Sequence, residues 1–161
     1  MAKYTILTDN AKKDINDWIA QLVADIRNNM DAAGVNASGN LRQSVRGELT
    51  NDGHILVRAL PYFEYSEKGR LPGKIPRNFG DILDKWITDK GLSVPSGFKT
   101  QKEFANAIAW KIKRYGSEKH RNPSKRVDIV GTALEDNLPD LDNIVYNSVV
   151  LYVNEHLWGK L

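Results

Sequence analysis

The sequence contains no cysteine, which excludes disulfide bonds, thiolate nucleophiles and cysteine-based zinc sites. Histidine is scarce, and none of the three has a histidine or an acidic residue at the spacing of a helical metal site. No apolar run approaches the length of about 18 residues that marks a transmembrane helix. The first ten residues also lack an apolar signal core. We therefore expect a soluble protein with no targeting segment, no membrane contact, no metal and no cofactor.

Local motifs for catalysis and for phosphate binding are also lacking. The segment GRLPGK, residues 69–74, has neither the spacing of a phosphate-binding P-loop nor a Ser or Thr after its lysine. Ser38, Ser44 and Ser66 lack the local context of a nucleophile elbow. We therefore expect that the protein is not an enzyme. A hydrolase whose site is assembled from distant residues remains an alternative.

Charge is unevenly distributed along the chain, although its formal net charge is only +3. Residues 111–126 carry seven Lys or Arg against one Glu, whereas residues 127–161 carry six Asp or Glu against one Lys. The seven basic residues are Lys111, Lys113, Arg114, Lys119, Arg121, Lys125 and Arg126. Such a charge dipole suits contact with a complementary neighbouring subunit as well as contact with DNA.

Apolar periodicity predicts a long amphipathic helix near the N-terminus. Its apolar residues recur at spacings of three and four, which forms one stripe on a helix of about 20 residues. These residues are Ile15, Trp18, Ile19, Leu22, Ile26 and Met30. Asp9 or Asn10 is expected to cap the start of this helix, and Gly34 to end it.

A β-hairpin is predicted after that helix. Residues 45–49 and 55–60 form its arms, and Asn51, Asp52 and Gly53 form its turn. Because a lone hairpin is marginal in water, we expect it to pair with other strands or to lie on the first helix. The predicted fold class is α+β: a long N-terminal helix packed on a small antiparallel sheet containing a β-hairpin, followed by several helices and a helical C-terminal extension.

Further helices are predicted over residues 62–68, 79–91 and 101–115. In the second of these, the residues expected to face inward are Ile82, Leu83, Trp86 and Ile87. In the third, which a capping box from Thr100 to Glu103 opens, they are Phe104, Ala107, Ile108, Ile112 and Tyr115.

The C-terminal extension is predicted to be helical, with a break at Asn137 and a restart at Pro139. The β-branched residues within 146–153 leave a strand as an alternative. We expect one domain over residues 1–126, with the extension over residues 127–161 packed on it or on a neighbouring subunit.

The segment YFEYSEKGRLPGKIPRN, residues 62–78, is expected to bind a partner. Three aromatics open it, and a basic loop stiffened by two prolines follows. A stiff loop loses little entropy when it meets a partner. The aromatics expected to anchor the loop in the core are Tyr62, Phe63 and Tyr65. The basic residues expected to project from it are Arg70, Lys74 and Arg77.

Residues 81–114 suggest an alternative function, sequence-tolerant DNA binding. Two amphipathic helices there are followed by Lys111, Lys113 and Arg114, as in a helix-turn-helix. However, the linker over residues 91–99 is longer than the usual turn of about three or four residues. The basic residues also fall at the end of the second helix, whereas base-reading residues usually lie near its start. Two packed helices with a solvated basic end are therefore the preferred interpretation.

Three short motifs and the order of the elements carry a family resemblance. The pattern G-x-L-x-x-S-V is met by Gly39, Leu41, Ser44 and Val45. The pattern aromatic-x-x-aromatic-x-E-x-G is met by Tyr62, Tyr65, Glu67 and Gly69. The pattern GR-x-PGK-x-P is met by Gly69, Arg70, Pro72, Gly73, Lys74 and Pro76. Over roughly residues 9–126, the chain resembles tailed-phage neck proteins of the tail-completion or minor-tail type, also described as virion morphogenesis proteins.

The resemblance implies a structural virion protein of the phage neck, made in the host cytoplasm. Copies would assemble head to tail into a ring of six or twelve that joins the portal and head to the tail around the DNA channel. Other neck, portal or tail proteins would be its partners, and basic residues in the channel would contact DNA phosphates without reading sequence. Residues 111–126 of one copy are then expected to face residues 128–155 of the next. The loop over residues 70–78, with the aromatics before it, is expected to form an interface with another subunit or an adjacent ring, or to line the channel.

Overall fold

The computed structural model describes residues 8–155. It has the predicted α+β fold, in which helices dominate and one hairpin forms a two-stranded antiparallel sheet. The helices are α1 (Asp9–Ala32), α2 (Asn40–Ser44), α3 (Phe63–Lys68), α4 (Phe79–Asp89), α5 (Gln101–Tyr115), α6 (Glu118–Arg121) and α7 (Ile129–Val153). The strands are β1 (Arg46–Leu49) and β2 (Ile55–Arg58), and a 3₁₀ turn spans Pro123–Lys125.

The described chain divides into two compact units. The first contains residues 8–29, 45–58 and 129–155, so that most of α1, the hairpin and α7 fold together. The second contains residues 30–44 and 59–128. The domain boundary predicted from the sequence, between residues 126 and 127, lies just before α7. Helix α7 belongs to the same unit as most of α1 and the hairpin.

Helix α1 has the predicted apolar stripe, and all six of its residues are buried. The expected cap was wrong by one residue, because the Thr8 hydroxyl accepts the Ala11 amide at 3.1 Å. Gly34 ends the helix as predicted, with a φ of +62°. The amides of Val35 and Gly34 bond to the carbonyls of Met30 and Asp31 at 3.1 and 3.0 Å, the pattern of a Schellman cap.

The hairpin lies on α1 in the first unit. Its register pairs Gly47 with Val57 and Leu49 with Ile55. A Cβ at Gly47 would overlap Cγ2 of Ile19 and would lie 3.1 Å from Cγ2 of Val23. The missing side chain therefore lets β1 approach the buried face of α1.

Helix α7 is fastened to α1 by polar contacts around Asn137. The indole N–H of Trp18 donates to the Asn137 carbonyl at 2.7 Å. The Asn137 amide group donates to Asp25 Oδ2 at 2.9 Å and to the Ala133 carbonyl at 2.8 Å. Asn137 is only 5% exposed, so these bonds satisfy a buried polar group.

The predicted break in the C-terminal helix is wrong, because α7 runs without interruption through Pro139. Proline removes one main-chain donor, here for the Glu135 carbonyl, and the helix continues past it. Residues 146–153 lie in this helix, so the strand alternative is also wrong.

In the second unit, α4 packs against α5. Their buried residues are Leu83, Ile87, Ala105 and Ala109, and Ile75, Phe79, Phe104, Ile108 and Ile112 pack against them. Thr100 caps α5 as predicted, since its hydroxyl accepts the Glu103 amide at 3.1 Å. The expectation that Ile82, Trp86 and Tyr115 face inward is wrong, because they are 47%, 38% and 48% exposed.

Candidate functional site

The loop after α3 docks on the end of α5 and the start of α6. The Gly73 amide donates to the Lys113 carbonyl, and the Ser117 amide donates to the Arg70 carbonyl, both at 2.8 Å. The Arg70 amide in turn donates to the Ser117 hydroxyl at 2.8 Å. These bonds bring together two basic segments that are separate in the sequence, at residues 70–77 and 111–126. We call their combined surface the basic face.

Glycine at position 69 makes this docking possible. Gly69 has a φ of +81°, which disfavours a side chain. A Cβ there would also lie 2.5 Å from both the His120 amide nitrogen and the Ser117 hydroxyl oxygen. The loop can therefore lie directly against the main chain of α6 only if residue 69 is glycine.

Arg70 does not project from the loop as expected. Its guanidinium lies 4.6 Å from the Tyr65 ring centre and 5.2 Å from the Phe79 ring centre, within the range of cation–π contacts. The expectation that the aromatics anchor the loop in the core is wrong for two of them, because Tyr62 and Tyr65 are each 45% exposed. Phe63 is half-buried. The loop is therefore held by its main-chain bonds and by the stacking of Arg70, and a buried aromatic stem is not what holds it.

Lys74 and Arg77 are the exposed cations of this loop. Neither forms an ion pair with any residue in the described range 8–155. Since the loop main chain is fixed, both side chains are presented from a stable backbone.

Three cations in residues 111–126 form hydrogen bonds or ion pairs within the described chain. Lys119 is half-buried and donates to the Ser66 carbonyl, and burial lowers the pKa of its ammonium group. Lys125 pairs with Glu118, and its hydrogen bond and charge lower the pKa of that carboxyl group. Arg126 donates to the Lys119 carbonyl at 3.3 Å. The remaining cations, all exposed, are Lys111, Lys113, Arg114 and Arg121.

The structure adds two aromatic residues to the basic face. Trp110 is 56% exposed and Tyr115 is 48% exposed. Their ring centres lie 6.1 Å apart in an edge-on arrangement, and the Arg114 guanidinium lies 5.4 and 5.5 Å from them. The sequence analysis missed Trp110, although residues four apart on a helix, such as Trp110 and Arg114, are neighbours.

A separate open groove of about 360 Å³ lies between α1 and α7 in the first unit. Its lining residues are Asp14, Asp17, Trp18, Gln21, Asn137, Asp140 and Ile144. Within residues 8–155, no group of three or more His, Asp or Glu side chains is arranged to hold a metal ion. Of the three histidines, His156 lies outside the described residues.

No helix in the described part of the chain combines the length and the apolar content that crossing a bilayer requires. Comparison with known proteins finds no match to this chain among family models, curated proteins or solved structures. The function is therefore argued from the chain's own residues.

Proposed function

We propose that this protein is a structural component of the tailed-phage neck. In this proposal, copies form a ring of six or twelve between the portal or head and the tail, around the DNA channel, and the protein is not an enzyme. The observation that carries the proposal is the docked loop over residues 69–78. It includes six of the thirteen motif residues on which the family resemblance depends, among them the whole GR-x-PGK-x-P pattern, and it is an ordered, basic, exposed element.

The contacts of this loop support a role in binding a neighbouring protein. Lys74 and Arg77 lie on a main chain that is already bonded to Lys113 and Ser117. A preorganised loop pays little ordering entropy when it docks. We propose that these two side chains contact an adjacent ring or another neck, portal or tail protein.

Opposite charges on one chain support head-to-tail assembly. The basic face belongs to the second unit, and α7, which carries Glu135, Asp136, Asp140 and Asp142, belongs to the first. A heterologous contact between such surfaces forms a closed ring when the rotation between copies allows closure. Exposed cations that face the channel would contact the phosphates of the packaged DNA without reading sequence.

Sequence-tolerant DNA binding through residues 81–114 is the second candidate. The exposed Trp110, Lys111 and Lys113 at the end of α5 favour it. Base-reading residues usually lie at the start of such a helix. At the start of α5, however, Lys102 pairs with Asp81, and this disfavours DNA binding there.

Head–tail joining tests the leading proposal. In the phage that encodes this chain, loss of the protein should leave DNA-filled heads and free tails, which electron microscopy counts. Lys74→Ala with Arg77→Ala should reduce joining without unfolding the protein, because both side chains are exposed.

The matched control for this experiment is Lys12→Ala with Lys13→Ala, which removes two exposed or half-exposed lysines from α1 and should leave joining normal. Normal joining in the Lys74 and Arg77 variant would remove the loop from the proposal. Normal infectious particles without the protein would contradict the proposal itself.

A further inference from the structure

Helix α7 has a second stripe opposite to its buried contacts with α1. Its residues recur at spacings of three, four, three, one and three, which places them on one face of a helix. They are Glu135, Leu138, Asp142, Val145, Tyr146 and Val149. We call this set the α7 stripe. All six side chains are exposed, and Tyr146 is 68% exposed.

The end of α5 has a surface of comparable kind but opposite charge. It consists of Trp110, Lys113, Arg114 and Tyr115, and we call it the α5 surface. Arg114 lies against both aromatic rings, so Trp110, Arg114 and Tyr115 form one cluster, and Lys113 precedes Arg114 on the same exposed helix end. Leu71 is 67% exposed, and its two chain neighbours lie near Gly116, the residue after Tyr115, through the Arg70 carbonyl and the Pro72 ring.

The two surfaces complement each other in charge and in apolar area. The charged residues of both surfaces are free of ion pairs within residues 8–155. They are Lys113 and Arg114 on the α5 surface and Glu135 and Asp142 on the α7 stripe. Trp, Tyr and Arg are also the residues enriched in the hot spots of protein interfaces. A nucleic acid would use the rings and cations of the α5 surface but would leave the apolar residues of the α7 stripe in water.

We propose that the α7 stripe of one copy docks on the α5 surface of a second copy. Trp110 packs among Val145, Tyr146 and Val149, and the cations of the α5 surface face the two carboxylates of the stripe. This inference rests on the proposed function for its biological setting and assigns residues to head-to-tail contact. It is tested on the purified chain alone, so its outcome is separate from the location of the protein in a particle.

Charge reversal provides the test. One variant carries Lys113→Glu and Arg114→Glu, and the other carries Glu135→Lys and Asp142→Lys. Each variant alone presents two surfaces of like charge, so its self-association, measured by sedimentation velocity, should be at least about tenfold weaker than that of the wild type. An equimolar mixture should associate again, because every contact between unlike variants has opposite charges.

Two further variants make the test specific. Trp110→Ala should weaken self-association at least about tenfold without lowering the melting temperature. Lys99→Glu with Lys102→Glu makes the same charge change at the start of α5 and just before it, and Lys102 lies about 16 Å along the helix from Lys113. It also removes the exposed ion pair between Lys102 and Asp81, so its melting temperature is measured as well. This control should associate like the wild type.

Three results would overturn the inference. One is a wild-type chain that stays monomeric up to about 1 mM, a concentration at which even weak specific contacts form. Another is a mixture of folded variants that associates no better than either variant alone. The third is an α5 surface that binds an oligonucleotide through Trp110 while self-association survives Trp110→Ala. That last result would assign the surface to nucleic acid.

Discussion

Asn137 and Ser148 are two buried polar residues on the same helix with opposite hydrogen-bonding states. Asn137 donates to Asp25 and to the Ala133 carbonyl, and its own carbonyl accepts from Trp18. Ser148 is 3% exposed, and its hydroxyl has no partner within residues 8–155. Since a buried polar group stabilises only when it is bonded, truncation should have opposite effects at the two positions.

Asn137→Ala should destabilise the protein by about 1–3 kcal/mol at neutral pH, because a buried hydrogen-bond network is broken. The hydrogen bond from Asn137 lowers the pKa of the Asp25 carboxyl below its ordinary value of 3.8, and the hydrogen bond from Gln21 lowers it further by a smaller amount. A lowered folded pKa adds stability above the unfolded pKa, and that stability is lost as the pH falls through the folded pKa. The difference in unfolding free energy between variant and wild type should therefore become smaller below pH 3.8.

Urea unfolding at neutral and acid pH measures this gap. Asn143→Ala is the matched control, because Asn143 is exposed on the same helix and its replacement should be neutral or slightly stabilising. A gap that is constant across the pH range would exclude the contact between Asn137 and the ionised Asp25.

Ser148→Ala should stabilise the protein by about 1 kcal/mol. The substitution removes a buried hydroxyl without a partner and introduces a better helix former. Urea unfolding at neutral pH measures this gain in unfolding free energy. A loss of stability would mean that the hydroxyl is bonded in solution.

Among the secondary-structure elements, those with strong local signals were predicted correctly. The stripe of α1, the turn at Gly53 and the stop at Gly34 depend on spacing and on backbone conformations that glycine adopts. The path of α7 through Pro139 has no such local signal, and next to it α7 is bonded to α1 at Asn137, 119 residues from Trp18 in the sequence. Tertiary contact of this kind overrides a local break and has no signal in the local sequence.

Side-chain direction on α4 and α5 was predicted less well, for a related reason. Periodicity defines an apolar face but does not say which part of it a partner covers. Ala105 and Ala109 form the buried centre of α5 because small residues allow close helix contact, while Tyr115 lies outside it.

Gly47→Ala should destabilise the protein by about 1–3 kcal/mol, because the new methyl group overlaps Ile19 where β1 lies on α1. Gly97→Ala is the control, since a Cβ there meets nothing within 4 Å. Its effect should stay within about 0.5 kcal/mol. Equal unfolding midpoints for the two variants would argue against the close approach of β1 to α1.

Gly69→Ala should release the docked loop from α6. Gly73→Ala is a matched control, because both glycines have positive φ values, +81° and +119°, but a Cβ at Gly73 meets nothing within 4 Å. Hydrogen exchange at the Ser117 amide, which bonds to the Arg70 carbonyl, reports the docking. Exchange should accelerate in Gly69→Ala, and equal protection in both variants would mean that the loop docks without needing glycine at position 69.

At the scale of the whole molecule, the candidate site is assembled from segments far apart in sequence. The sequence identified both basic segments, because their composition is local information. It could not show that Gly73 bonds to Lys113, that Lys119 is used internally, or that Trp110 and Tyr115 are exposed beside Arg114. Those facts depend on how the loop packs against α5 and α6.

The proposed location of this protein, in the neck of a phage particle, tests the central claim most directly. The measurement is cryo-electron microscopy of virions in which the chain carries a fused label. The proposal predicts label density in a ring of six or twelve at the junction of head and tail, around the DNA channel. Label on the capsid shell or at the tail tip, or particles without the protein, would contradict it.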